Sequence, residues 1–141
     1  MTTADISRFP VPEIKDMPKD IADRILAVQA KSGFVPNVFL VLAHRPEAIR
    51  AHFACHDALM DKPGPITKAE REMIVVATSN ANQCQYCVVA HGAILRIRAK
   101  NPLIADQVAV NYRKADITPR QMVMIDFAMK VSARAYEVGD A

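Results

Sequence analysis

Two cysteines and a histidine stand close together in mid-chain, as Cys84-Gln85-Tyr86-Cys87 and, after three more residues, His91. On a helix, spacings of three and four keep all three on one face, so two thiols and an imidazole meet within about a turn of one another. Adjacent thiols can cycle between dithiol and disulfide, and the imidazole can take or return the thiol proton. Cys84 falls where that helix would begin, and the unpaired N–H groups and dipole of a helix start favour a thiolate there. The same three side chains also form an incomplete metal set, since structural zinc takes four ligands. A fourth would have to come from His52, Cys55 or His56, whose directions the spacing does not settle. Cys55 is expected to be a packing residue and His44 to serve a loop or a helix cap.

Glu72 is drawn in by its setting. It is the last charge before the apolar run Met73-Ile74-Val75-Val76-Ala77, on the helix that immediately precedes the cysteines. Antiparallel packing of the two helices would carry its carboxylate towards the thiol face, where burial would suit it to proton transfer. Glu70 differs, because Thr67 and Glu70 have the spacing of a capping box, and no catalytic role is assigned to it.

The elements that must position these groups read as helices throughout. Residues 1–18 carry Pro10, Pro12 and Pro18 and are expected to form an extended arm. Ile21, Ile25 and Val28 mark a helix over 19–32, stopped at Gly33. A short turn follows from Pro36-Asn37 through Ala43, then an amphipathic helix carrying Ile49, Phe53 and Leu59, before Pro63-Gly64-Pro65 breaks the chain. Further helices are expected over 68–82, 84–100, from Pro102 to about Arg113, and over 119–136, the last opened by Thr118-Pro119 with Gln121. Met122, Met124 and Met129 are expected to fill the core. No alternating strand pattern of useful length appears. The fold class is all-α, about six or seven helices, with residues 19–141 forming one domain.

Composition narrows the function classes. The 141 residues are 51% apolar, with 18 basic and 15 acidic side chains giving a net charge of +3. The charges are scattered in both signs, so no nucleic-acid surface is implied. The longest apolar run, residues 38–43, is far short of the roughly 18 that a membrane span needs, and a cytoplasmic location is the default expectation. Three cysteines is an odd number without a disulfide framework, so a C-x-x-C in a reducing compartment points to redox or metal chemistry. The helix over 68–82 is apolar on every side at its centre, and a chain this short has few helices to cover it. A homo-oligomer is therefore expected, with the arm or the last helix crossing the interface.

Glu72, eleven residues, Cys84-x-x-Cys87, three residues and His91 resemble the active-site pattern of AhpD-like alkylhydroperoxidases in the carboxymuconolactone decarboxylase superfamily. The stretch from Thr67 to Leu95 looks like the peroxidase-related branch, and Pro36-Asn37-Val38-Phe39 and His44-Arg45-Pro46-Glu47 are similar too. The resemblance implies an all-helical AhpD-like fold that assembles as a trimer or a multiple of one. It implies a small hydroperoxide substrate, attack by Cys87, a sulfenic acid resolved by Cys84 to a disulfide, and proton transfer by Glu72 and His91. A dithiol, lipoyl or thioredoxin-type donor would return the electrons; no cofactor is called for. The chain departs from the pattern at Tyr86, where well-studied members carry a histidine, and a phenol does not titrate near neutrality. Related chains usually continue with more helix where this one stops at Ala141, and a neighbouring subunit is expected to cover what such a helix would. Two alternatives stay open, a non-catalytic oligomeric redox sensor and a metal site at Cys84, Cys87 and His91. Lactone decarboxylation needs no paired cysteines.

Overall fold

The structure, a computed structural model, describes residues 6–139, so the first five residues of the expected arm and the last two of the chain lie outside the described residues. Seven α-helices and no strand occur among the described residues. They divide between Lys62 and Pro63 into two compact units.

In the first unit, residues 6–13 carry no helix and lead into a single 3-10 turn, Ile14–Asp16. Helix α1 spans Lys19–Ser32, the bounds read from its apolar spacing, and ends at Gly33, whose φ of +82° is a left-handed stop that a side chain would strain. Helices α2, Asn37–Leu42, and α3, Pro46–His56, follow, and a π-helical turn closes the unit over Asp57–Asp61. Met17, Ile21, Ile25, Ala43, Ile49 and Phe53 form its core. Leu59 does not join them; it is exposed, because six residues after Phe53 the 3.6-residue period of a helix has carried it about 120° away from the apolar face.

The second unit holds α4, Lys68–Ala81, α5, Gln85–Ala99, α6, Ile104–Asn111, and α7, Pro119–Arg134. Both expected capping boxes are present and complete: Thr67 with Glu70 starts α4, and Thr118 with Gln121 starts α7. Such boxes satisfy first-turn N–H groups that would otherwise be orphaned, and losing one costs about 0.5–2 kcal/mol. Met73, Val76, Ala77, Leu95, Ile104, Ala105, Val108 and Ile125 make the core, with Met124 and Met129 packed against it. Ile74 and Val75 are only half-buried, so the apolar centre of α4 is covered on one side more than the other. At Gly92 α5 meets α6, and a Cβ there would stand 3.4 Å from the Cβ of Ala105, the near edge of ordinary contact.

Two boundaries differ from the sequence reading. Pro102 does not open α6; Asn101 Oδ1 accepts from the Leu103 N–H at 3.0 Å and the helix begins at Ile104. The last helix tightens into a 3-10 turn, Ala135–Glu137, rather than running to Tyr136. No helix among the described residues is long and apolar enough to cross a membrane.

Candidate functional site

The site is built on the hairpin of α4 and α5, in which Glu72 lies against Arg98 and His91, and Ser79 against Cys87. A three-residue turn, Asn82-Gln83-Cys84, joins the helices, and Gln83 takes a left-handed φ of 56° that non-glycine residues seldom adopt. This kink delivers Cys84 to the N-cap position of α5 and Cys87 to its first turn. The two Sγ atoms are 2.8 Å apart.

The two thiols differ in acidity. Hydrogen bonding from the Cys87 thiol and then from its backbone N–H holds the Cys84 thiol below its ordinary value, against a small cost of burial. The acidity expected at a helix start is therefore present, but its largest source is the neighbouring cysteine. Burial, followed by the charge and hydrogen bond of Cys84, pushes the Cys87 thiol up, with the Ser79 hydroxyl partly opposing this. In the resting dithiol the first proton to leave is thus that of Cys84. Tyr86 is pushed up by burial and by the charge of Cys87, so near neutrality its phenol keeps its proton.

Behind the thiols lies a buried carboxylate. Two residues apart on α4, Glu70 and Glu72 point to different sides of the helix. Glu70 turns back to the Thr67 N–H at 2.8 Å and takes the guanidinium of Arg120, which accounts for it fully. Glu72, 1% exposed, turns towards α5. Its Oε2 is 2.7 Å from His91 Nδ1, and its Oε1 accepts from Arg98 Nη1 at 2.8 Å. A carboxylate accepts only, so Nδ1 carries the ring proton and Nε2 is the free nitrogen. Arg98 and Ser79 were not found by sequence reasoning. Arg98 stands seven residues after His91, on the same face two turns along, and that spacing was the available signal.

Cys84 also opens to solvent, on a cleft of about 330 Å³ lined by Asn80, Gln83, Cys84, Gln85, Val88 and Val89, with no charged side chain in its wall. The other candidates fall elsewhere. Cys55 is exposed rather than packed, because the buried side of α3 is set by Ile49 and Phe53 and Cys55 lies well round from it. His52 and His56 lie on the same helix, and His44 Nδ1 donates to the Val41 carbonyl at 2.6 Å, the helix-end role expected of it. Among the described residues, the group of three whose ligand atoms lie within 4.8 Å of one another is His56, Asp57 and Asp61, not Cys84, Cys87 and His91.

The carboxymuconolactone decarboxylase family matches residues 46–103, the segment that holds Glu72, both thiols, His91 and Arg98. Among similar solved structures is an uncharacterized peroxidase-related protein from Ralstonia eutropha JMP134, described as an alkylhydroperoxidase AhpD core. It is 69% identical, with a TM-score of 0.90 over 97% of this chain and 72% of that one. The chain belongs to the AhpD-like carboxymuconolactone decarboxylase superfamily. A second relative in structure, an uncharacterized peroxidase-related protein from Silicibacter sp. TM1040, is 34% identical with a TM-score of 0.87, covering 99% of this chain and 73% of that one. A comparison with curated proteins finds no match. The all-helical AhpD-like fold expected from the residue pattern is thus the fold observed.

Proposed function

We propose that this protein is a thiol-dependent peroxidase that reduces small hydroperoxides through Cys84 and Cys87. The observation that carries the reading is the pairing of two free thiols 2.8 Å apart with a histidine one turn on that is anchored to a buried glutamate. Likeness to relatives described as peroxidase-related supports it.

The chemistry proceeds in two steps. The Cys87 thiolate attacks the terminal oxygen of ROOH, the O–O bond breaks, Cys87 becomes a sulfenic acid and RO⁻ leaves with a proton as ROH. The Cys84 thiolate then attacks the sulfenic sulfur, a disulfide forms, and hydroxide leaves and is protonated to water. A dithiol, lipoyl or thioredoxin-type donor reduces the disulfide and completes the cycle. Because the first proton of the resting pair belongs to Cys84, attack by Cys87 requires that its proton be drawn off, and His91 Nε2 is the base one turn away. The uncharged wall of the cleft suits a neutral organic hydroperoxide or a neutral dithiol.

Peroxide turnover with a lipoyl protein, thioredoxin and a small dithiol as donors, on the wild type and on Cys87→Ser, tests the proposal. Turnover by the wild type that Cys87→Ser abolishes is the expected result. A wild type that forms the disulfide yet turns over no peroxide with any donor would make it a redox sensor instead of an enzyme.

A further inference from the structure

Glu72 is buried to 1% exposure, and both its oxygens are engaged, one by His91 and the other by Arg98. A carboxylate so placed stays charged only if a cation compensates it. His91 cannot be a constant one, because an acid–base group changes charge within each turnover. Arg98 can, since a guanidinium keeps its proton under all ordinary conditions. The bond from Arg98 to Oε1 also turns the carboxylate, leaving Oε2 as the charged acceptor that selects the Nδ1–H tautomer of His91.

We propose that Arg98 is a positioning residue, keeping Glu72 an ionised anchor so that His91 holds its proton on Nδ1 and offers Nε2 to the thiol pair. This rests on the peroxidase reading above. The proton drawn from Cys87 then stops at His91 and goes from there to the departing alkoxide; Glu72 orients the ring and keeps its charge, rather than serving as a further proton carrier. Without Arg98 the bond that turns the carboxylate is gone, so Oε2 no longer holds the ring in one orientation.

The test compares wild type, Arg98→Met and Arg98→Lys by ¹⁵N NMR of the His91 ring at neutral pH without substrate, the signal assigned by its loss in His91→Gln, together with peroxide kinetics. Arg98→Met should lose the Nδ1–H signature and drop kcat by about tenfold or more with KM little changed, and Arg98→Lys should restore the signature and most of the rate. An unchanged His91 signature in Arg98→Met overturns the proposal, as does a kcat that Met and Lys lower equally. Should Arg98→Met fail to fold, Arg98→Gln takes its place with the same outcomes. Because the tautomer is read without peroxide, the two readings separate. A wild type without turnover whose His91 still changes in Arg98→Met overturns the peroxidase reading and upholds the positioning of His91. An active wild type whose His91 does not change overturns the role of Arg98 alone.

Discussion

His91 Nδ1 lies 2.7 Å from Glu72 Oε2, tying a side chain one turn beyond the thiols on α5 to a carboxylate buried on α4. Glu72→Gln keeps the volume and removes the charge that holds the ring. Because His91, the proton-transfer group, then loses the partner that orients it, peroxide turnover should fall towards the scale of general acid–base catalysis, about 10² to 10⁴-fold, while far-UV circular dichroism stays that of the wild type. A rate equal to wild type would move Glu72 to a purely structural role.

The acidities of the two thiols set an order of reaction. A Cys84 thiol held below its ordinary value carries more thiolate at a given pH than Cys87, which is pushed above it. Iodoacetamide at about pH 7 should therefore label Cys84 first, with Cys87 following as the pH is raised through the usual thiol range near 8.5. Peptide mapping after partial alkylation reads this directly, and label appearing first on Cys87 would contradict it.

Glu70 should matter to stability and not to chemistry. Burial alone would raise its carboxyl, but the Thr67 N–H and hydroxyl and the Arg120 guanidinium outweigh that and hold it below its ordinary value. Its contribution is fully present above the unfolded value near 4.3 and is lost as pH falls through the lower folded value. Glu70→Ala should cost about 1–2 kcal/mol at neutral pH. That difference from wild type should shrink in acid, as followed by urea unfolding at several pH values. A constant difference would mean that the charge of Glu70 contributes nothing.

Much of this arrangement was legible in the residues because local rules made it so. Both capping boxes follow from side chains acting on backbone within four residues, and the bounds of α1 from its apolar spacing and the left-handed stop at Gly33; the structure keeps them. The placing of Cys84, Cys87 and His91 on one face needed only the period of a helix. What could not be read depended on other elements. The pairing of Arg98 with Glu72 joins residues 26 apart through the register of two helices, which spacing within one helix does not reveal. Cys55 was expected inside from its type, but its position on α3 relative to Ile49 and Phe53 places it outside. Pro102 lost the start of α6 to Asn101, whose side chain caps the turn two residues further on.

Apolar surface left on the second unit supports an oligomer. Val123, Phe127 and Val131 are exposed at four-residue spacing along α7, a stripe of the kind that a monomer seldom leaves open. We expect a trimer or a multiple of one. Sedimentation equilibrium at micromolar concentration should give a mass well above 15.6 kDa, and Phe127→Glu should lower it. A stable single species at the subunit mass would show that one chain needs no partner.

Centrally, Cys84 and Cys87 together convert one hydroperoxide to its alcohol and become a disulfide in the proposed reaction. A single-turnover titration measures this: reduced protein is mixed with sub-stoichiometric to equimolar organic hydroperoxide, alcohol is quantified, and the protein is mapped by mass spectrometry. One alcohol should form for each loss of two hydrogens, with that loss confined to the peptide carrying both cysteines. Peroxide left unconsumed, or oxidation found at Cys55 while Cys84 and Cys87 remain thiols, would contradict it.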